Sequence, residues 1–412
     1  MKNFVVQKRD DRIGGNVWMK RLLVVELGSL CTFLNGGTPS KSISHYFQGE
    51  IPWITGADIT SPTVMAARSF ITEEAIKCSA TNLVPAGTVL FVTRTSVGKV
   101  AIAGIPLCFS QDITAITPNA EKLDSGYLIH FLKSKESHFK QQQRGATIQG
   151  ITREVVSKLK IPLPPLPEQR RIAAILDKAD ALREHRRQAI AKLDELLQSV
   201  FIDMFGDPVT NPKNIKKKTI SQLGIVTTGS TPPRSNSAFY GSDVEWIKSD
   251  NINTSSHFLT LAEEGLSLLG RNHSRIVASG STLVTCIAGS RSCIGNAALT
   301  NREVSFNQQI NAITPNEETN SYFLYTQILL AKRLIQGAST NSMKGMVSKS
   351  AFSQIELLSP PKKDQDKFGL VFERTCSLIQ KNQKSFSFQE KLFQVFQQRA
   401  FTGELFTQEG DV

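Results

Sequence analysis

The chain contains an internal repeat of roughly 195 residues, and this repeat limits the fold to two copies of one plan. Trp53-Ile54 recurs as Trp246-Ile247, and Ala115–Pro118 recurs as Ala312–Pro315. The matches keep their order along both copies, and their spacing changes by only a few residues. Chance produces a single pair of this kind but not an ordered series, so we infer a duplicated unit.

Each copy begins with about 140 residues of short β-rich runs that glycine and proline turns interrupt. Thr88–Val92, Val100–Ala103 and Asp112–Ile116 are three such runs in the first copy. A helical segment follows in each copy. The predicted fold class is therefore α+β, a tandem repeat of two mixed domains separated by two long helices.

The first long helix is predicted from about residue 167 to about residue 205. It begins at Pro167-Glu168, and Gly206 follows its last turn. Apolar or small residues recur in it at alternating steps of three and four, a pattern that only Arg186 interrupts and that is typical of a helix lying along another helix. They are Ile175, Ala179, Leu182, Ala189, Leu193, Leu196 and Val200. The second long helix is predicted from about 362 to about 402.

Composition excludes several classes of protein. The 412 residues carry a net charge of +12, and the excess of lysine and arginine lies in the two globular segments rather than in the helices. The sequence has no secretory signal, no apolar run of membrane-spanning length and no zinc-ligand spacing among its six cysteines. These features predict a cytoplasmic protein with reduced, buried thiols and a partner of negative charge.

Two long helices that each follow a globular domain can pair antiparallel. The result is a pseudo-two-fold molecule made from one chain, which matches the pseudo-dyad of duplex DNA. Because the two domains differ in sequence, the two DNA half-sites that they read need not match. The helices would then set the separation of the half-sites.

Four sequence motifs carry a resemblance to a known family. They are the run from Leu30 to Pro39, the run from Trp53 to Ile59, the series Gly87, Gly98 and Gln111, and the run from Ile161 to Ile172 that opens the first long helix. With these motifs the chain resembles the specificity subunit of type I restriction-modification systems over nearly its whole length. In the second helix Pro360-Pro361-Lys362-Lys363-Asp364-Gln365 departs from the fuller Pro-Leu-Pro-Glu-Gln motif.

The resemblance implies two target-recognition domains, residues 1–163 and 207–359. It also implies two antiparallel, coiled-coil-like spacers, residues 164–206 and 360–412, the latter including a C-terminal tail. Each domain would read one half of a bipartite, asymmetric target in double-stranded DNA. The subunit would have no catalytic activity or cofactor of its own. It would dock two modification subunits that methylate adenine with S-adenosylmethionine, and would work with ATP-dependent restriction subunits that translocate and cleave DNA.

The residues themselves also favour a non-catalytic chain. No acidic residue is followed by lysine two positions later, as in a common type of metal-dependent nuclease, and no Asn/Asp-Pro-Pro-aromatic run marks an adenine methyltransferase. Gly98-Lys99 lacks the rest of a phosphate-binding loop, and the six histidines have no metal spacing. Two alternatives stay open: a self-sufficient fused restriction and methylation enzyme, and a repeat protein for protein interactions without a role on DNA.

The repeat separates scaffold residues from candidate base readers, because a side chain shared by both copies cannot explain two different half-sites. Trp53 and Trp246 are therefore expected in the core rather than stacked on bases. Gln111 and Gln308 are expected to form a structural hydrogen bond rather than to read adenine. The shared Thr-Pro dipeptides at Thr38 and Thr231 have two interpretations, contact with the DNA backbone or turn geometry.

Polar residues that differ between the copies are the better candidates for base readers. In the first copy they are Lys41, Ser42, Thr55, Arg94, Thr95 and Lys99, and in the second Arg234, Ser235, Lys248, Asp250, Ser290 and Arg291. Arg144 and Lys344 lie in two corresponding polar loops that we expect near DNA or, equally, in plain solvent-exposed loops. The predicted site also includes Thr38 and Thr231 and contains no metal ligand.

Two further features have two interpretations each. A lysine run after the first helix, Lys213, Lys216, Lys217 and Lys218, either contacts phosphates or is a solvated linker. Phe393, Phe396 and Phe401 near the end of the second helix either dock a partner helix bundle or fill the seam between the two long helices.

Overall fold

The structure is a computed structural model, and it describes residues 23–143, 150–340 and 345–402. The chain forms two compact units. Unit 1 combines residues 1–184 with 387–412, and unit 2 consists of residues 185–386. Each unit therefore holds one globular domain together with a segment of each long helix, whereas the predicted four-part division follows the order of the chain.

Unit 1 contains two main sheets and one strand pair. Its strands are β1 (Val24–Glu26), β2 (Cys31–Asn35), β3 (Ile51–Ile54), β4 (Thr63–Val64), β5 (Ser69–Ile71), β6 (Leu83–Val84), β7 (Val89–Val92), β8 (Val100–Ala103), β9 (Leu107–Phe109), β10 (Ile113–Pro118) and β11 (Lys160–Pro162). The larger sheet has the order β2-β10-β7-β8-β4, the second has the order β5-β3-β9-β6, and β1 pairs with β11. Neighbours are antiparallel except β3 with β9 and β4 with β8.

The core of unit 1 lies on both faces of the larger sheet. Successive side chains of a strand point to opposite faces, and all four residues of β7 are completely buried. Val89 and Phe91 pack in the cluster that contains the helices, whereas Leu90 and Val92 pack in a second cluster with residues of the smaller sheet. A strand buried on both faces needs apolar residues at every position, as the sequence Val-Leu-Phe-Val provides.

The helices of unit 1 are α1 (Glu73–Lys77), α2 (Ser125–Ser134), α3 (Glu136–Gln142), α4 (Arg153–Ser157), the first part of α5 (Leu166–Phe205) and the last part of the second long helix, α11 (Lys362–Thr402). Helix α5 begins and ends within one residue of the predicted positions. Asp124 caps α2 by accepting a hydrogen bond from the backbone N–H of Tyr127 at 3.0 Å.

Unit 2 repeats this architecture. Its strands are β12 (Lys217–Thr219), β13 (Gly224–Thr228), β14 (Tyr240–Ile247), β15 (Gly265–Leu266), β16 (Ile276–Val277), β17 (Thr282–Thr285), β18 (Ile287–Ala288), β19 (Ala297–Leu299), β20 (Val304–Phe306), β21 (Ile310–Pro315), β22 (Gly345–Met346) and β23 (Glu356–Leu358). The sheet orders are β13-β21-β17-β19 and β15-β14-β20-β16, with two further pairs, β12-β23 and β18-β22. The parallel pairing of β14 with β20 matches that of β3 with β9.

The helices of unit 2 are the last part of α5, α6 (Ile220–Leu223), α7 (Leu268–Asn272), α8 (Ser321–Leu330), α9 (Lys332–Gly337), α10 (Lys349–Ser353) and the first part of α11 (Lys362–Thr402). Helix α11 begins and ends where the sequence predicts. The tandem arrangement of two mixed domains and two long helices is thus confirmed.

A buried glutamine fixes the start of each long helix. Gln169 is fully buried; its side chain accepts a hydrogen bond from the backbone N–H of Asp124 at 2.8 Å and donates to the carbonyl oxygens of Lys122 and Pro164 at 2.9 and 2.8 Å. Gln365 forms the equivalent three bonds at the start of α11. The shorter motif of the second helix therefore keeps the contacts of the first.

Within unit 2 the segments of the two long helices run antiparallel. Arg186 of α5 donates to Asn382 of α11 at 2.6 Å, and the ring of Phe201 lies 5.3 Å from that of Phe368. From Arg186 to Phe201 the chain advances about four turns along α5, while their partners, Asn382 and Phe368, lie about four turns apart in the opposite direction along α11. Coiled-coil packing of the helices stays a prediction.

The aromatic residues near the end of α11 pack against the domain of their own unit. The ring of Phe401 lies 5.2 Å from Tyr127 and 5.3 Å from Phe131 of α2, and Phe393 is buried beneath the guanidinium of Arg183. Phe396 is half-buried against the same cluster. The contact of Phe393 with Arg183 of α5 agrees with the interpretation that these rings fill the seam between the long helices, whereas the packing of Phe401 on α2 belongs to neither interpretation.

Candidate nucleic-acid interface

The shared tryptophans hold the Thr-Pro loops in place. Trp53 is 5% exposed, and its Nε1–H donates to the carbonyl oxygen of Gly37 at 3.1 Å. Trp246 is 3% exposed and donates to the carbonyl oxygen of Ser230 at the same distance. The expected core position of both indoles is confirmed. Their hydrogen bonds fix the backbone just before Thr38 and Thr231.

These loops lie close to the turn before β10 in unit 1 and β21 in unit 2. A Cβ atom on Gly36 would lie 2.1 Å from the carbonyl oxygen of Ser110, and one on Gly229 would lie 2.1 Å from that of Asn307. Only glycine permits this approach. The close packing positions the exposed residues that follow, which include four of the predicted readers: Lys41, Ser42, Arg234 and Ser235.

The shared glutamines behave differently in the two units. Thr231 donates its hydroxyl hydrogen to Oε1 of Gln308, so the expected structural hydrogen bond is present in unit 2. Gln111 is exposed and has no side-chain hydrogen bond to another residue of the described part of unit 1. That expectation is therefore wrong for Gln111, because Thr38 is half-buried and does not reach it.

Two predicted readers of unit 1, Thr55 and Thr95, lie near each other. Thr55 immediately precedes Gly56, and a Cβ on Gly56 would lie 3.6 Å from the hydroxyl of Thr95. Lys41 and Ser42 are exposed in the loop after Thr38, and Ser42 shares a hydrogen bond of 2.7 Å with Ser40.

Thr55 has a structural role beside any contact with DNA. Its backbone N–H and its hydroxyl both donate to Asp58 at 2.8 Å, and Arg68 contacts the other carboxylate oxygen at 2.5 Å. Burial opposes ionisation of Asp58, but the hydrogen bonds from Arg68 and Thr55 outweigh it and lower the pKa of the carboxyl group. The turn is therefore held by a charged network.

The loop with Arg94 and Thr95 is short and strained. Thr95 has a φ of +64°, which is rare for a β-branched residue. Arg94 is exposed and forms a backbone bridge with Gly150, while Lys99 donates to the carbonyl oxygen of Ile59 at 3.4 Å. Strain of this kind concentrates at functional segments.

The equivalent loop of unit 2 is longer. Ile287 pairs with Met346 as Arg94 pairs with Gly150, so Ile287 corresponds to Arg94. Ser290 and Arg291 belong to the residues that lengthen this loop. The carbonyl oxygen of Gln336 accepts a hydrogen bond from Arg291 at 3.5 Å, so Arg291 lies near α9.

In unit 2 the side chains of Arg234 and Lys248 meet at Glu264. Arg234 contacts this carboxylate at 2.8 Å, and Lys248 forms a second ion pair with it. Both cations also lie over the ring of Trp246, at 4.9 and 5.4 Å from its centroid. The hydrogen bond from Lys248 is the main cause of a lowered pKa of Glu264.

Glu264 is the residue of this cluster that sequence reasoning missed. It lies opposite Trp246 because β14 pairs with β15, and the backbone N–H of Trp246 donates to its carbonyl oxygen at 3.0 Å. In unit 1 the same register places Ser69 opposite Trp53. The two copies share few identical residues in this segment, so only the strand register could show that Glu264 lies opposite Trp246.

The remaining predicted readers lie at separate positions. Asp250 is exposed in a short 3-10 turn, Ser249–Asn251, and Ser235 is exposed in the loop after Thr231. Ser290 shares a hydrogen bond of 2.7 Å with Ser292. Arg144 and Lys344 lie outside the described residues.

The lysine run borders a cleft of about 870 Å³ in unit 2. Lys213 donates to carbonyl oxygens at the end of α5, including that of Met204 at 3.4 Å. Lys216, Lys217 and Lys218 are exposed and form no ion pair within the described part of the chain. Unit 1 has Leu23 and Val24 where unit 2 has Lys216 and Lys217, although the backbone pairing is the same. Both interpretations of the run stay open.

Other site types are not supported within the part of the chain that the structure describes. There, no group of three or more histidine, cysteine or acidic side chains could hold a metal ion. Over the same residues, no helix has both the length and the apolar character that a membrane span needs. Four of the six cysteines are buried, as expected, whereas Cys78 is exposed and Cys293 is half-buried.

Comparison with known proteins agrees with this architecture. A model of the type I restriction modification DNA specificity domain matches residues 19–194 and again residues 212–385. The specificity subunit of the EcoR124I/EcoR124II type I restriction enzyme from Escherichia coli is 34% identical over 182 residues, which are 42% of this chain and 45% of the relative. The MjaIX specificity subunit from Methanocaldococcus jannaschii is 28% identical over 233 residues, 52% of this chain and 54% of the relative. The chain thus spans about half the length of the curated relatives it matches.

A solved structure has the same fold. The type I restriction-modification S subunit from M. genitalium superposes with a TM-score of 0.59 at 14% sequence identity, covering 94% of this chain and 98% of that one. These relatives are named specificity subunits, which gives no support to a self-sufficient fused enzyme. Because the family model matches most of the chain in two successive copies, the protein belongs to the type I restriction-modification DNA specificity domain family.

Proposed function

We propose that the chain is a non-catalytic specificity subunit that reads a bipartite, asymmetric sequence in double-stranded DNA. One observation carries the proposal: two copies of one specificity domain place different polar side chains at equivalent positions beside the shared tryptophans. Exposed Lys41 of unit 1 corresponds to exposed Arg234 of unit 2, and half-buried Thr55 corresponds to half-buried Lys248. Two similar domains with different readers suit a target whose halves differ.

In this proposal the long helices set the gap between the half-sites and dock two modification subunits. Exposed leucines at repeat-equivalent positions support the docking role. Leu182 of α5 and Leu378 of α11 are 58% and 48% exposed, and Leu196 and Leu392 form a second such pair. Leu182 and Leu196, predicted in the seam between the long helices, are therefore exposed instead. Two equivalent apolar positions suit two copies of one partner. S-adenosylmethionine and ATP would be bound by the partner subunits only, in the cytoplasm.

Mapping of methylated adenines tests the proposed function. Cells that express the modification subunit should methylate one bipartite motif when this chain is present and none when it is absent. Exchange of residues 207–359 for the same segment of a relative should change one half of the motif only. A motif independent of the chain would refute the proposal, and methylation by the purified chain with S-adenosylmethionine alone would establish the enzymatic alternative.

The docking part has its own test. Native mass spectrometry of the complex should find two modification subunits for each wild-type chain, and one after the single change Leu182→Asp or Leu378→Asp. Leu268→Asp is the matched control, because Leu268 is 65% exposed but lies on α7 rather than on a long helix. Unchanged stoichiometry in both helix variants would contradict docking at these leucines.

A further inference from the structure

The guanidinium of Arg234 is held in one orientation on the surface of unit 2. It lies 4.7 Å from the ring centroid of Tyr240 and 4.9 Å from that of Trp246. One of its nitrogens, Nη2, contacts Oε2 of Glu264 at 2.8 Å. The side chain is nevertheless 55% exposed, and its other donors have no partner among the residues of the described structure.

Glu264 is the anchor of this arrangement. It forms ion pairs with both Lys248 and Arg234. Its side chain is 38% exposed, so it lies at the edge of the site rather than in the core. An aromatic surface and one ion pair restrict the rotamers of an arginine before a ligand arrives. Pre-organisation of this kind reduces the entropy that binding would otherwise cost.

Unit 1 provides an internal comparison, because it has an equivalent aromatic pair but lacks the charged cluster of Arg234, Lys248 and Glu264. Phe47 and Trp53 meet edge-on at 5.9 Å, as Tyr240 and Trp246 do at 6.2 Å. Unit 1 has Lys41 in place of Arg234, Thr55 in place of Lys248, and Ser69 in place of Glu264. The fold therefore does not need this charged cluster, because unit 1 has a different residue at each of its three positions.

We propose that Arg234 reads a guanine in the half-site bound by unit 2 and that Glu264 is its positioning residue. A guanidinium fixed at one edge presents its remaining N–H donors to the O6 and N7 acceptors of guanine in the major groove. Glu264 acts through Arg234 and does not itself contact the base. This inference rests on the proposed function, since it requires unit 2 to face DNA.

Three variants in the complex with the modification subunits test the inference. Arg234→Ala removes the reader and Arg234→Lys keeps the charge but not the planar fork, so both should lower discrimination at one G·C position about 5- to 150-fold. Glu264→Gln should lower it less, because the guanidinium then loses only its anchor. The measurements are the methylated motif in cells and the binding of purified complex to duplexes with single base changes.

The matched control is Glu303→Gln. It breaks an exposed ion pair of unit 2, Arg271 with Glu303 at 2.7 Å, and should leave the motif unchanged. A phosphate contact would instead keep the motif in all three variants, and Arg234→Ala would lower binding to every duplex equally; this result overturns the inference. Relaxation at a position that is not G·C overturns it as well. If the wild-type complex has no bipartite motif, the proposed function itself fails, and this outcome is visible before any variant is made.

Discussion

Units 1 and 2 have the same backbone contacts but different side chains around them. The bond from Trp53 to Gly37 matches that from Trp246 to Ser230, both at 3.1 Å, and the buried glutamines at the starts of α5 and α11 accept and donate the same three bonds. By contrast, the exposed residues on this scaffold differ in charge and size. A duplicated domain can therefore change what it recognises while its hydrogen-bonded frame stays constant.

The cores of the two units also differ where they meet the ends of the long helices. In unit 2 Phe201 of α5 is fully buried and lies within 5.4 Å of the rings of Phe205, Phe323 and Phe368. The repeat-equivalent residue of unit 1 is Gln397, which donates to the carbonyl oxygen of His130 at 3.5 Å. At this one position, unit 2 is therefore held to its long helix by aromatic packing and unit 1 by a polar contact.

Phe201→Ala should have the largest effect. Removal of a fully buried phenylalanine costs about 3–5 kcal/mol, because it leaves a cavity among the neighbouring rings. Gln397→Ala, at the equivalent position, should cost at most about 1 kcal/mol. Hydrogen exchange measured separately in α2 and α8 checks the contrast. Equal losses in both units would contradict the difference in packing.

Gln169→Leu and Gln365→Leu should have effects of equal size in different units. Each change leaves one buried N–H and two buried carbonyl groups without a partner, which costs roughly 2–4 kcal/mol. Protection from exchange should fall at the start of α2 in the first variant and at the start of α8 in the second. A much smaller effect of Gln365→Leu would mean that the shorter motif of α11 packs less tightly after all.

The lysine run gives unit 2 positive charges that unit 1 lacks at equivalent positions, although the strand pairing is the same. If Lys216, Lys217 and Lys218 contact phosphates, their joint replacement by glutamine should reduce the salt dependence of DNA binding by the complex. The slope of log K against log salt should fall by about 2–3, with the motif unchanged. Lys158→Gln is the control, because Lys158 is paired with Glu154 at 2.5 Å. An unchanged slope would identify the run as a solvated linker.

The smallest effect concerns pH. His130 is buried and lies 2.8 Å from Asp177 of α5, and burial lowers its pKa despite this hydrogen bond. Because the unfolded chain gains a proton near pH 6.5 and the folded chain gains it only at lower pH, the stability of unit 1 should decrease as pH falls below 6.5. His130→Gln should flatten this dependence in urea unfolding between pH 5 and pH 8. The same slope in variant and wild type would assign the dependence to other groups.

The sequence predicted the features that depend on order along the chain. The duplication, both long helices and the scaffold role of the tryptophans follow from matched spacing and from helical periodicity, which are properties of the chain in one dimension. The hydrogen bonds from Thr55 and from Arg68 to Asp58 were not predicted, because the turn that brings these residues together is not visible in spacing.

The sequence by itself determined that this protein is two versions of one domain joined to two long helices, and which positions the two versions share. Only the tertiary structure decided which exposed charges act together. Strand register places Glu264 beside Trp246, and a loop more than ten residues away brings Arg234 over the same ring. Contacts between residues far apart in the chain depend on pairing and packing in three dimensions, and no local pattern of residues encodes them.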